Sequence, residues 1–125
     1  GVTPYSVGGE AEVGTELQLY GYGCTQPGGT GGNDGVLRTG KATVSGFAGY
    51  DMISKDGAAL CFGDSGGPSF EVQADGEMKV LGVNSKGNIL DTNYNARTDI
   101  ERSQKFFENS IRYYRIDICG VNLNC

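Results

Sequence analysis

Ser69-Phe70-Glu71-Val72-Gln73-Ala74-Asp75-Gly76-Glu77-Met78-Lys79-Val80-Leu81-Gly82-Val83 is the run that decides the fold. Its two ends, Ser69 to Val72 and Met78 to Val83, read as strands, and Ala74-Asp75-Gly76 between them carries the Asp-Gly signal of a tight hairpin. Upstream, Glu16-Leu17-Gln18-Leu19-Tyr20 alternates polar and apolar, as a strand with one buried face does. Val36 to Phe47 is β-branched and punctuated by turn residues, Tyr50-Asp51-Met52-Ile53 reads as a short strand, and Tyr94 to Asp99 supplies one more. A glycine-rich loop from Gln26 to Gly35 has neither helical nor strand pattern and reads as mobile or cleavable. Lys55 to Leu60 is irregular. Ile100, Phe107, Ile111 and Tyr114 share one face of a helix predicted over 101–115, and Thr98-Asp99-Ile100-Glu101 has the pattern of a capping box. About six short strands followed by one helix predict an all-β protein, a small barrel with a docked helix.

Composition agrees with that outline. Glycine accounts for 22 of 125 residues without a collagen-like period, which points to many tight turns. The length suits one domain, 1–125. A net charge of −5 repels nucleic-acid phosphates and anionic membranes, so neither is an expected partner. Apolar runs such as Val80-Leu81-Gly82-Val83 are too short to span a bilayer, and no signal-peptide pattern is present. A mature secreted protein or an internal fragment would look the same. Four cysteines with no Cys-x-x-Cys pair, in a chain without histidine, argue against a metal centre, and no cofactor is expected. Two disulfides in an oxidising compartment are the better reading, with three connectivities open and buried free thiols as the alternative.

Chemistry is carried by Cys61-Phe62-Gly63-Asp64-Ser65-Gly66-Gly67-Pro68. An acyl-transfer nucleophile needs an exposed hydroxyl on a sharp turn, with backbone N–H groups aimed where an oxyanion forms. Glycines on both sides of Ser65 permit conformations closed to other residues and leave the amides of Gly63 and Ser65 accessible. Without such chemistry the run would be a plain turn between strands.

The run resembles the nucleophile signature of the trypsin/chymotrypsin family of serine proteases. Gly21-Tyr22-Gly23 resembles the family's Gly-Trp-Gly element, Gly82-Val83-Asn84-Ser85-Lys86-Gly87 its substrate-flanking strand, and Thr98-Asp99-Ile100 followed by Phe106-Phe107 its terminal strand and helix. The resemblance implies the second, six-stranded antiparallel Greek-key barrel of a double-barrel serine endopeptidase, with 1–14 as interdomain linker. It makes Ser65 the nucleophile, the Gly63 and Ser65 amides the oxyanion hole, and Asp64 the partner of an activating N-terminal ammonium. Ala59 would sit at the base of the specificity pocket, with Ser85, Lys86, Gly87 and Asn95 around it. Ala59 in place of the aspartate of trypsin-like members implies uncharged rather than basic side chains at the cleaved position. Cys24 becomes the partner of Cys61, leaving Cys119 and Cys125 to pair within the tail or to reach another chain.

The departures are as informative. The family's catalytic histidine and aspartate belong to its first barrel, and this chain holds no histidine. A second, histidine- and aspartate-bearing chain is therefore the expected partner, acting with this one on protein or peptide substrates in a secreted or extracellular setting. The alternative is a catalytically inactive protease-like module kept for binding or regulation. An uncovered apolar face would make the chain associate when isolated.

Overall fold

Leu17 and Leu19 are buried and Glu16 is exposed along β1 (Glu16–Gly21), as its alternating sequence requires. Five further strands follow in a computed structural model that describes residues 2–125: β2 (Arg38–Ala48), β3 (Asp51–Lys55), β4 (Pro68–Val72), β5 (Met78–Gly87) and β6 (Asn93–Arg97). One helix, α1 (Glu101–Tyr114), follows them. The strands close into a barrel in the order β1-β2-β3-β6-β5-β4, every pairing antiparallel, with β4 returning to lie beside β1. This is the expected six-stranded Greek-key barrel with a C-terminal helix. Leu17, Leu19, Ala42, Val44, Met52, Leu60 and Leu81 fill its apolar core.

Some boundaries differ from the sequence expectation, each for a local reason. β5 runs on to Gly87 because the register shifts between Asn84 and Lys86, after which Lys86 and Gly87 pair with Tyr94 and Asn93. β2 starts at Arg38 because the Asp34 carboxylate caps the Val36 amide in a turn. The capping box does not form: the N-cap is Ile100, with no side-chain cap. Thr98 instead donates its hydroxyl to the Leu81 carbonyl, and Asp99 accepts from Arg97 and from the Ala11 amide. Phe107 and Ile111 lie half-buried on the inner side of α1, whereas Tyr114 is exposed. The helix is held mainly at its first turn, by Ser103 on the Arg97 carbonyl and Gln104 on the Thr98 carbonyl, and Tyr114 lies well beyond that anchor.

The first segment is extended and laid against the barrel. Val80 donates to Ser6 and Gly8 donates to Val80, so residues 6–8 line the part of β5 that precedes its pairing with β6. Val7 also donates to Cys119, and Ala11 is buried. Disulfides join Cys24 to Cys61 and Cys119 to Cys125. Among the described residues, no helix is long and apolar enough to cross a membrane.

Candidate active site

Between β3 and β4 the chain makes two tight turns that present Ser65. Asp64 donates to the Cys61 carbonyl and Gly67 to the Asp64 carbonyl. Gly63 has φ +98° and Gly66 φ +87°, a region that side chains make costly, so both glycines are required by the backbone path. The Gly66 amide donates to the Asn84 carbonyl and the Asn84 amide to the Gly67 carbonyl, which ties the turn to β5. Cys24 donates to the Phe62 carbonyl beside the Cys24–Cys61 disulfide, tying it to the end of β1.

Asp64 points back into the turn. Its carboxylate accepts the Gly23 amide at 2.9 Å and the Cys61 amide at 2.9 Å, so it ties the start of the Ser65 turn to the chain just after β1. Gly21 and Gly23 are glycines for this reason, since a Cβ at either would collide with that carboxylate.

Ser65 is exposed, and its hydroxyl donates to the Ser85 carbonyl at 3.0 Å. Among the described residues, neither the Gly63 nor the Ser65 amide donates a hydrogen bond to protein. Two amides without a protein acceptor thus lie within the same turn as an exposed hydroxyl. In front lies a cavity of about 180 Å³, lined by Ser65, Ser85, Lys86 and Gly87 with Leu60, Cys61, Phe62 and Ile89. Its walls are largely apolar, and Lys86 is the one charged residue among them.

The cavity thus brings together Ser65, Ser85, Lys86 and Gly87, while Gly63 lies in the turn beside Gly23 and Asn33 and does not line it. Ala59 lines a second cavity, of about 400 Å³, which Gly21, Gly23, Cys24, Arg38 and Asp64 share. Asn95 lines neither cavity; it is fully buried in the barrel. Sequence reasoning did not pick out Leu60, Phe62 and Ile89 as walls, because their part depends on the path of irregular loops. Asn84 and Asn93, also fully buried near the site, carried no signal of their own. Among the described residues, no group of three or more His, Cys, Asp or Glu is placed to hold a metal ion.

Barrel, helix and turn together have the trypsin-like fold, that of a chymotrypsin-like β-barrel. No protein-family model matches the chain, and no curated protein does. Among solved structures, the chain is similar to a double mutant of human heparin binding protein (CAP37), with TM-score 0.63 and 20% identity over 88% of this chain and 48% of that one. A single mutant of the same human protein gives TM-score 0.63 and 19% identity over 88% of this chain and 50% of that one. The chain spans about half the length of these solved structures.

Proposed function

We propose that this chain is the nucleophile-bearing barrel of a serine endopeptidase, working with a histidine- and aspartate-bearing barrel carried outside these 125 residues. The observation that carries this reading is the exposed Ser65 hydroxyl beside the undonated Gly63 and Ser65 amides, at the mouth of a cavity. The partner's histidine takes the Ser65 proton from its resting place on the Ser85 carbonyl, and Oγ adds to the scissile carbonyl carbon. The carbonyl oxygen becomes an oxyanion and receives the two amides. The C–N bond then breaks as the histidine returns the proton to the departing amine, leaving an ester on Ser65 that water hydrolyses by the same steps. Loss of one such oxyanion donor costs roughly 10²–10³ in rate.

The spare lone pairs of Asp64, facing the larger cavity, suit an ammonium group at the end of a chain, which would fix the turn further. Residues 1–14 serve in this reading as the connection to the first barrel, and the two disulfides suit an oxidising, extracellular compartment. Apolar walls and Lys86 favour uncharged side chains at the cleaved position and repel basic ones.

The binding-module alternative draws on the absent histidine and on the heparin-binding name of the similar structures. Heparin binding in particular does not transfer well, because a chain of net charge −5 repels a sulfated polyanion. The test is to combine this chain with a histidine-bearing first barrel and expose it to a serine-directed fluorophosphonate. Labelling at Ser65 that is lost in Ser65→Ala is the expected result; an unlabelled mixture with both chains folded overturns the reading. A peptide-library profile dominated by Arg or Lys at the cleaved position would refute the specificity expectation.

A further inference from the structure

Ala58 to Leu60 runs outside every strand, yet Leu60 is a wall of the Ser65 cavity and Ala58 and Ala59 line its larger neighbour. Two hydrogen bonds from one fully buried side chain fix this segment: the Leu60 amide donates to Asn93 Oδ1 at 2.7 Å, and Asn93 Nδ2 donates to the Ala58 carbonyl at 2.9 Å. The Ala58 amide donates to the Lys41 carbonyl of β2, and the carboxamide, which accepts from one residue and donates to another two positions away, satisfies the groups that β2 does not. Asn93 is only the first member of a chain. Its Nδ2 also reaches Ser54 Oγ at 3.3 Å, Ser54 donates to Asn95 Oδ1 at 3.1 Å, and Asn95 Nδ2 donates to Ser69 Oγ at 2.7 Å and Asn84 Oδ1 at 3.1 Å. Ser69 donates to Asn84 Oδ1 at 2.8 Å, and Asn84 Nδ2 ends the chain on the Tyr20 carbonyl at 3.2 Å. The main chain of Asn84 is what holds Gly66 and Gly67 beside Ser65.

All five side chains are essentially inaccessible, and no buried side-chain polar atom among the described residues lacks a partner. Every hydrogen bond along the chain points the same way, from Asn93 toward Tyr20, so each donor polarises the next. A fully satisfied polar thread through a barrel interior specifies one geometry, where apolar packing would tolerate several.

The geometry points to Asn93, Ser54, Asn95, Ser69 and Asn84 as a set of positioning residues that couples the cavity wall at Leu60 to the turn that carries Ser65. The claim rests on the nucleophile reading for its consequence in catalysis, and on the fold alone for the coupling itself.

The test has two arms. In the first, amide exchange and chemical shifts are followed by NMR in the full chain carrying Asn93→Leu, the milder Ser69→Ala, or Leu81→Ala, the last a buried core residue outside the thread. Asn93→Leu and Ser69→Ala should each speed exchange at Leu60 about tenfold beyond the global change and shift the Gly63, Ser65 and Gly66 amides. Leu81→Ala should lower Tm without that selective pattern. Changes confined to the neighbours of each substitution, or the same pattern from Leu81→Ala, overturn the coupling. In the second arm, with the histidine-bearing barrel present, Ser69→Ala should lower kcat for a peptide ester about tenfold while KM changes less than about threefold, and the reverse split would overturn the positioning of the turn. NMR coupling with no labelling of Ser65 even in the unmodified chain removes the protease reading and leaves the coupling standing. Labelling without NMR coupling does the reverse.

Discussion

The carboxylate of Asp64 is packed so closely that the two glycines of Gly21-Tyr22-Gly23 exist to make room for it. Gly23→Ala would bring a Cβ within 2.6 Å of Asp64 Cγ and push the carboxylate off both of its amides. The expected loss is about 1–3 kcal/mol of unfolding free energy, read from the urea midpoint, together with loss of any labelling at Ser65. Asp99 gives a pH-dependent counterpart. Burial by itself raises its pKa, but the Arg97 side chain and the Ala11 amide outweigh that and hold it below the ordinary carboxylate value. A lowered folded-state pKa means that the contribution is complete above the unfolded value of about 4 and is lost as pH falls through the folded value. Thermal unfolding between about pH 5 and pH 2 should therefore show a steeper acid loss in the unmodified chain than in Asp99→Asn; parallel curves would remove this role. At this scale the sequence was uneven. The sharp turn around Ser65 was legible because the glycines beside the hydroxyl spell out an unusual backbone, seen in the positive φ of Gly63 and Gly66. Asn84 and Asn93 were not, because a lone asparagine reads as a turn or surface residue, and the resemblance places Asn95 at a pocket rather than in the barrel interior; their partners lie as many as 64 residues away.

Among the elements, the strands were readable where side chains alternate against a single core, as in β1 and the β4–β5 hairpin. They blurred where pairing continues past a bulge, as β5 does from Asn84 to Gly87. The helix was found from its period and begins at Glu101 as expected, but its cap was misread, because Thr98 and Asp99 are spent on tertiary partners and do not cap it. The disulfides differ in what they hold together. Cys24–Cys61 closes a separation of 37 residues and secures the turn that carries Ser65, whereas Cys119–Cys125 closes only 6. Chain entropy assigns them about 4 and about 2 kcal/mol respectively. Replacing the first pair by alanines should lower the denaturation midpoint by more than replacing the second; equal shifts would contradict this ranking.

For the whole molecule, closure of the barrel leaves its apolar excess on the outside. Phe106, Tyr113, Tyr114 and Ile116 are exposed around the helix, and Phe62 and Leu90 stand near the cavity, with Phe62 and Leu90 each about two-thirds accessible. The chain alone should therefore associate, seen as a concentration-dependent sedimentation coefficient, and a monodisperse monomer at high concentration would contradict this. How it associates follows from residues 6–8, which lie along β5 without belonging to any ladder strand. Such a short cover can peel away and settle on the same stretch of another copy, so dimers formed by mutual exchange of this arm are expected beside those formed by apolar contact. Trimming the arm would abolish the exchanged species and leave the Val80 amide and carbonyl open to pairing with any extended peptide offered in its place.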